Sequence, residues 1–91
     1  MPITIPHTLP QTIQSWSISD VGAFLYANRV EYHITTEYIN VFVGADINGL
    51  VFLHLVQQEI QDLGIRYGGA RCIMMLINEL KSEKGILTPG K

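Results

Sequence analysis

Four stretches of the chain place apolar residues at helical spacing. In the first, Ser17 can cap a helix, and Asp20, three residues on, can bond back and favour the positive helix end. Val21, Phe24 and Leu25 then fall at i, i+3 and i+4, the spacing of one buried face. Thr35 or Thr36 can cap a second helix, with Tyr38, Ile39, Phe42 and Val43 along its apolar face and Gly44 as its stop. Residues 57–63 predict a short helix with Ile60 and Leu63 inward, ended by Gly64. Gly68-Gly69-Ala70-Arg71 opens a longer one, in which Ile73, Leu76, Ile77 and Leu80 recur at 0, 3, 4 and 7 with Met74 beside them. Lys81 and Lys84 suit the negative end of that helix, and Gly85 and Pro89 end it.

The middle of the chain is ambiguous. Val41-Phe42-Val43 and Val51-Phe52-Leu53 flank Asn48-Gly49, so local propensity also admits a β-hairpin. The stretch from Asn28 to Ile34 is polar and mixed and reads as a connection. Ahead of the first helix, Pro2, Pro6 and Pro10 lack backbone donors and restrain their predecessors to extended geometry. Residues 1–15 therefore read as an extended arm, whose Ile3, Ile5, Leu9 and Ile13 can lie against the domain or against a partner. Residues 16–84 read as the domain and 85–91 as a flexible tail.

Composition narrows the class. Of 91 residues, 47% are apolar, enough for one packed core. Only 15% are charged, against roughly 25% in an average soluble domain. The surface must then carry many uncharged or apolar side chains, which favours a sticky face. A net charge of −2 gives no global attraction to nucleic acid or to an anionic membrane. The longest apolar runs, such as Ile73 to Ile77, are too short for membrane insertion, and residues 1–11 show no signal-peptide pattern. Cys72 is the single cysteine, which excludes an internal disulfide and fits an intracellular setting, cytoplasmic or nuclear. The charge is unevenly distributed. Residues 1–64 carry one Arg against six acids, a net −5, and residues 65–91 carry five basic residues against two acids, a net +3. Such a dipolar unit can attract its own kind head to tail.

Catalytic and metal motifs are not found. His7, His33 and His54 are dispersed, and Cys72 has no second cysteine at a zinc-ligand spacing. Tyr67-Gly68-Gly69-Ala70-Arg71 is glycine-rich at a helix start but lacks the lysine and preceding strand of a phosphate loop. Asp46-x-Asn48-Gly49 looks superficially like a calcium loop, but Leu55 stands where the bidentate Glu is required. The reading is of a chain that is not an enzyme and needs no cofactor or metal.

Taken in order, these landmarks resemble the sterile alpha motif (SAM) domain. The matching residues are Trp16-Ser17 with Val21 and Phe24-Leu25; Tyr38 and Phe42; Ile47-Asn48-Gly49; Leu53 and Leu55; Glu59-Ile60; Leu63-Gly64-Ile65; Gly69 with Arg71; and Ile73-Met74, Ile77 and Leu80. Three features depart from the family pattern. The stretch from Leu25 to Tyr38 is about five residues longer than usual. Val56 stands at the cap position before the fourth helix, where Thr is usual. Gly68 and Gly69 both compete for the family's glycine. The resemblance implies an all-α, five-helix SAM-like bundle with helix on both sides of the Ile-x-Gly turn. The expected core is Trp16, Val21, Phe24, Leu25, Tyr38, Phe42, Ile47, Leu53, Leu55, Ile60, Leu63, Ile65, Ile73, Ile77 and Leu80.

The resemblance also implies a protein–protein interaction module of a signalling, adaptor or scaffold protein. It would self-associate head to tail, as an oligomer or polymer, or pair with another SAM domain. The family's end-helix face maps onto Arg66, Tyr67, Gly68, Gly69, Arg71 and Met75, and its mid-loop face onto Val43, Asp46, Asn48, His54, Glu59 and Asp62. The alternative is an RNA-hairpin-binding SAM-like domain using Arg66, Arg71 and Lys81. It is disfavoured because the remaining surface is acidic.

Overall fold

The computed structural model describes residues 3–85, so the tail from 86 to 91 lies outside the described residues. Among the described residues, five α-helices follow a single 3-10 turn at Ile13–Ser15: α1 Ile18–Ala27, α2 Thr36–Gly44, α3 Gly49–Leu53, α4 Gln57–Asp62 and α5 Tyr67–Glu83. Among the described residues there is no strand, so helix α3 stands where the hairpin alternative would place its second strand.

Local chemistry explains most of the helix boundaries. The Ser17 hydroxyl accepts from Asp20 N at 3.1 Å, and the Asp20 carboxylate accepts from Ser17 N at 2.9 Å, a complete capping box. Thr35, and not Thr36, caps α2 by accepting from Tyr38 N at 3.2 Å. Asn48 caps α3 by accepting from Val51 N at 3.0 Å. At α4 only half a box exists. Glu59 accepts from Val56 N at 3.2 Å, while the Val56 side chain has no oxygen to offer in return. Gly64 at φ +104° and Gly85 at φ +69° supply the left-handed residues that close α4 and α5. The stop of α2 differs from expectation. Gly44 is the last helical residue, and Asp46, at φ +60°, takes the left-handed position instead.

One core runs through the bundle. Its centre is a chain of rings: Trp16 to Phe24 at 5.2 Å, Phe24 to Phe52 at 6.1 Å and Phe52 to Phe42 at 6.1 Å, the last two edge to face. Phe52 joins α3 to both α1 and α2, a role that its strand-like neighbours Val51 and Leu53 concealed. Tyr38 and Leu63, expected in the core, are only partly buried and pack against its edge. Tyr32, Ile34, Ile39, Ala70 and Leu76 are buried as well. The connection after α1 is thus anchored by two inward apolar residues.

The N-terminal segment packs on this core. Leu9 and Ile13 are buried, and Ile3 and Ile5 are partly buried against it. The Trp16 indole donates to Pro10 O at 2.8 Å. Gly49 N donates to Trp16 O at 3.0 Å, so the 3-10 turn and α3 lie backbone against backbone.

Candidate interaction surface

Helix α5 begins one residue before the glycine pair, with Arg66 as an extended N-cap residue that makes no side-chain cap bond. Tyr67, Arg71 and Met75 follow at i, i+4 and i+8 and therefore share one face of the helix. All three are exposed, Tyr67 by 62% and Met75 by 50%. A shallow groove of about 220 Å³ runs beside this stripe, lined by Gln57, Arg71, Met74, Met75 and Asn78. Arg66 also lines a larger groove of about 450 Å³ with Glu37, Tyr38, Val41, Gly64 and Ile65.

The two glycines at this helix start differ. A Cβ at Gly68 would meet nothing within 4 Å, whereas one at Gly69 would sit 2.5 Å from Tyr38 Cε2. Gly69 is therefore the glycine on which the Tyr38 ring rests, and a side chain there would have to displace that ring. Gly68 is the exposed one, where a partner backbone can approach closely.

The second set divides. Val43, Asp46, Asn48 and His54 are exposed around the α2–α3 turn and the end of α3. Asn48 spends its side-chain oxygen on the α3 cap, which leaves Asp46 as the anion of this region. Leu50 and Val51, exposed by 50% and 40%, extend the apolar surface here. Sequence reasoning missed both, because a five-residue helix carrying Phe52 and Leu53 inward must turn Leu50 and Val51 outward.

Glu59 and Asp62 belong elsewhere. Both are on α4, which packs against α5. Glu59 accepts from Val56 N, and Asp62 accepts from Gln58 Nε2 at 3.0 Å. Asp62 and Arg66 are four positions apart, a backbone reach of at most about 15 Å. They cannot occupy opposite poles of a molecule 31 × 29 × 24 Å across. The −5/+3 division along the sequence is only partly a division in space, and Asp46, on the α2–α3 turn, is the anion of the second set that does not belong to α4.

Among the described residues, no group of three or more His, Cys, Asp or Glu side chains could hold a metal ion. No helix among these described residues is long and apolar enough to cross a membrane. Cys72 is a half-buried free thiol.

A family model for a SAM-like domain matches residues 3–79, which takes in the packed N-terminal segment as well as the bundle. The chain belongs to the SAM-like domain family. It is similar to diacylglycerol kinase eta of Mus musculus, with 32% identity over 75 residues, 81% of this chain and 6% of that protein. The chain thus spans a small fraction of the length of the curated relative it matches.

Proposed function

We propose that this chain is a non-catalytic protein-interaction module that associates with a second copy, or with another SAM-like domain, head to tail. The start of α5, with Arg66, Tyr67, Gly68, Arg71 and Met75, docks on the α2–α3 region around Asp46. The observation that carries this reading is the Tyr67–Arg71–Met75 stripe. It joins two large exposed apolar side chains to a cation on one helix face, the composition of an interaction hot spot. Val43, Leu50 and Val51 offer matching apolar surface beside an anion. The SAM-like family and a similarity to a 75-residue stretch, 6%, of diacylglycerol kinase eta fit a module that links proteins in a signalling or scaffold setting.

A head-to-tail contact uses two different surfaces, so it propagates unless one is blocked. Arg71→Glu blocks one face and Asp46→Asn the other. Asn tolerates the left-handed backbone at position 46. By sedimentation velocity, the unmodified chain should form a concentration- and salt-dependent series. Each variant alone should be monomeric, and an equal mixture should stop at a dimer. Variants that sediment like the unmodified chain, or a mixture that stays monomeric, would refute the assignment of these faces.

A further inference from the structure

Residues 3–10 are held in the way a bound peptide is held. Asn28, 1% exposed, faces Thr4 across 24 positions of sequence. Its Oδ1 accepts from Thr4 N at 2.8 Å and its Nδ2 donates to Thr4 O at 2.8 Å, so one side chain pairs with both main-chain groups of one residue. Nδ2 also donates to Phe24 O at 2.9 Å, which fixes the amide orientation. Ile3 and Ile5, on either side of Thr4, are partly buried against the core, while Thr4 points out. That is the alternation of an extended segment lying on a surface. Farther along, Leu9 is buried and Pro10 O takes the Trp16 indole proton. Main-chain bonds at two points and apolar anchors at three are the elements of sequence-tolerant peptide recognition.

We propose that Asn28, Trp16 and the core surface beside them form a binding site for an uncharged, proline-punctuated segment, extended around Thr4 and turned between Pro6 and Leu9, where Leu9 N donates to Pro6 O at 3.2 Å, and that its occupant in trans is residues 3–10 of a second copy. The hydrogen bonds and apolar contacts described for the segment do not require that it belong to the same chain, so an exchanged arm reproduces them. Residues 3–12 contain no Asp, Glu, Lys or Arg, so exchange between two negatively charged copies meets no added repulsion in the arm itself. Gln11 and Thr12, exposed and outside the 3-10 turn, are the link that must re-route. The intramolecular arm enjoys an effective concentration of about millimolar, so it dominates in dilute solution. The exchange uses none of the residues assigned to head-to-tail docking.

The test uses the full chain with its own arm weakened by Ile3→Ser and Thr4→Pro, which leaves Asn28 and Trp16 in place. The probe is a synthetic peptide of residues 1–11, which contains no Trp, so emission from Trp16, the single Trp, reports occupancy. Saturable binding is expected, with a raised Tm. Affinity should fall at least tenfold for a peptide carrying Thr4→Pro and at least tenfold for the unmodified chain as receptor. Failure to saturate by millimolar peptide would overturn the site. Should the weakened chain not fold, hydrogen exchange of the unmodified chain decides the matter. The Thr4 amide and the Trp16 indole proton should exchange at least a hundredfold faster than the amides of Ile73 to Leu80. Exchange of both at the α5 rate would show the arm to be inseparable core. The occupant is tested in the Arg71→Glu, Asp46→Asn double variant, where head-to-tail contacts are absent. A slowly forming dimer at millimolar concentration that disappears with Thr4→Pro supports arm exchange, and a strict monomer overturns the second copy as occupant.

Discussion

Gly49→Ala offers a direct test of how the N-terminal segment is built into the fold. On an open helix the change stabilises, because Ala exceeds Gly in helix propensity by about 1 kcal/mol. At Gly49 the added methyl would land on the carbonyl oxygen of Ile13, 2.8 Å from Trp16 Cβ and 3.0 Å from Ile13 C. None of these is the far end of a flexible side chain that could swing aside. Relief requires α3 to move off the 3-10 turn, which costs about 1–3 kcal/mol of overpacking strain. The same shift breaks the bond from Gly49 N to Trp16 O and leaves a buried N–H without its partner. That adds about 1–3 kcal/mol. After subtracting the propensity gain, the net loss is roughly 1–5 kcal/mol, centred near 3. For a domain of this size the central value lowers Tm by about 12–24 °C. Urea and thermal unfolding followed by far-UV circular dichroism measure it, and an unchanged m-value would confirm that stability, not compactness, has moved. Gly68→Ala is the control. Nothing lies within 4 Å of its Cβ, so it should gain up to about 1 kcal/mol. A Gly49→Ala chain as stable as its parent, or a Gly68→Ala chain that loses as much, would refute the packing argument.

Two further outcomes follow from the caps and the core. Val56→Thr should complete the capping box at α4 and raise stability by about 1 kcal/mol, since the backbone is already extended there and Val56 is 55% exposed; an unchanged urea midpoint would show that this helix start is not limited by its cap. Burial, with smaller contributions from Glu79 and Glu31, raises the Tyr32 phenol above its ordinary 10.0. The folded chain then keeps that proton to higher pH than the unfolded chain, so the contribution is intact below pH 10 and shrinks as pH rises from there towards the folded value. Tyr32→Phe should flatten the decline in unfolding midpoint above pH 10, and an identical decline in both chains would exclude Tyr32 as its source.

Much of the bundle could be read from the residues because its determinants are local. The Ser17–Asp20 box, the Thr35 cap and the glycines after α4 and α5 each act within a few positions. The 0, 3, 4, 7 series of α5 fixes its buried face without knowledge of its neighbours. What escaped the sequence is long-range. Asn28 looked like one polar residue in a mixed connection, and nothing nearby signals that its amide points inward to Thr4. Phe52 sat in a run that reads equally as strand, and only its packing between Phe24 and Phe42 shows it as the hub. The choice between Gly68 and Gly69 depended on the Tyr38 ring, 31 residues upstream of Gly69. The candidate faces suffered in the same way: composition foretold exposed apolar surface, but Leu50 and Val51 emerged only once α3 was known to be five residues long.

The placement of charge on the two faces runs against helix stability. Cations are favoured near a helix C-terminus and anions near an N-terminus, by about 0.3–1 kcal/mol each at exposed sites. Here Arg66 occupies the N-cap of α5, whose first turn contains no acid, and Arg71 follows one turn later. Asp46 lies just beyond the C-terminus of α2, in a left-handed conformation that a glycine would adopt more readily. For each helix considered alone, the opposite sign would be the more stable choice. For a docking contact the arrangement is favourable, because each side chain reinforces the partial charge of its own helix end. A positive α5 start and a negative α2 end then attract each other more strongly than their side chains would alone. In the proposed contact, small losses in the isolated domain would be offset by a gain realised only when a second domain is present.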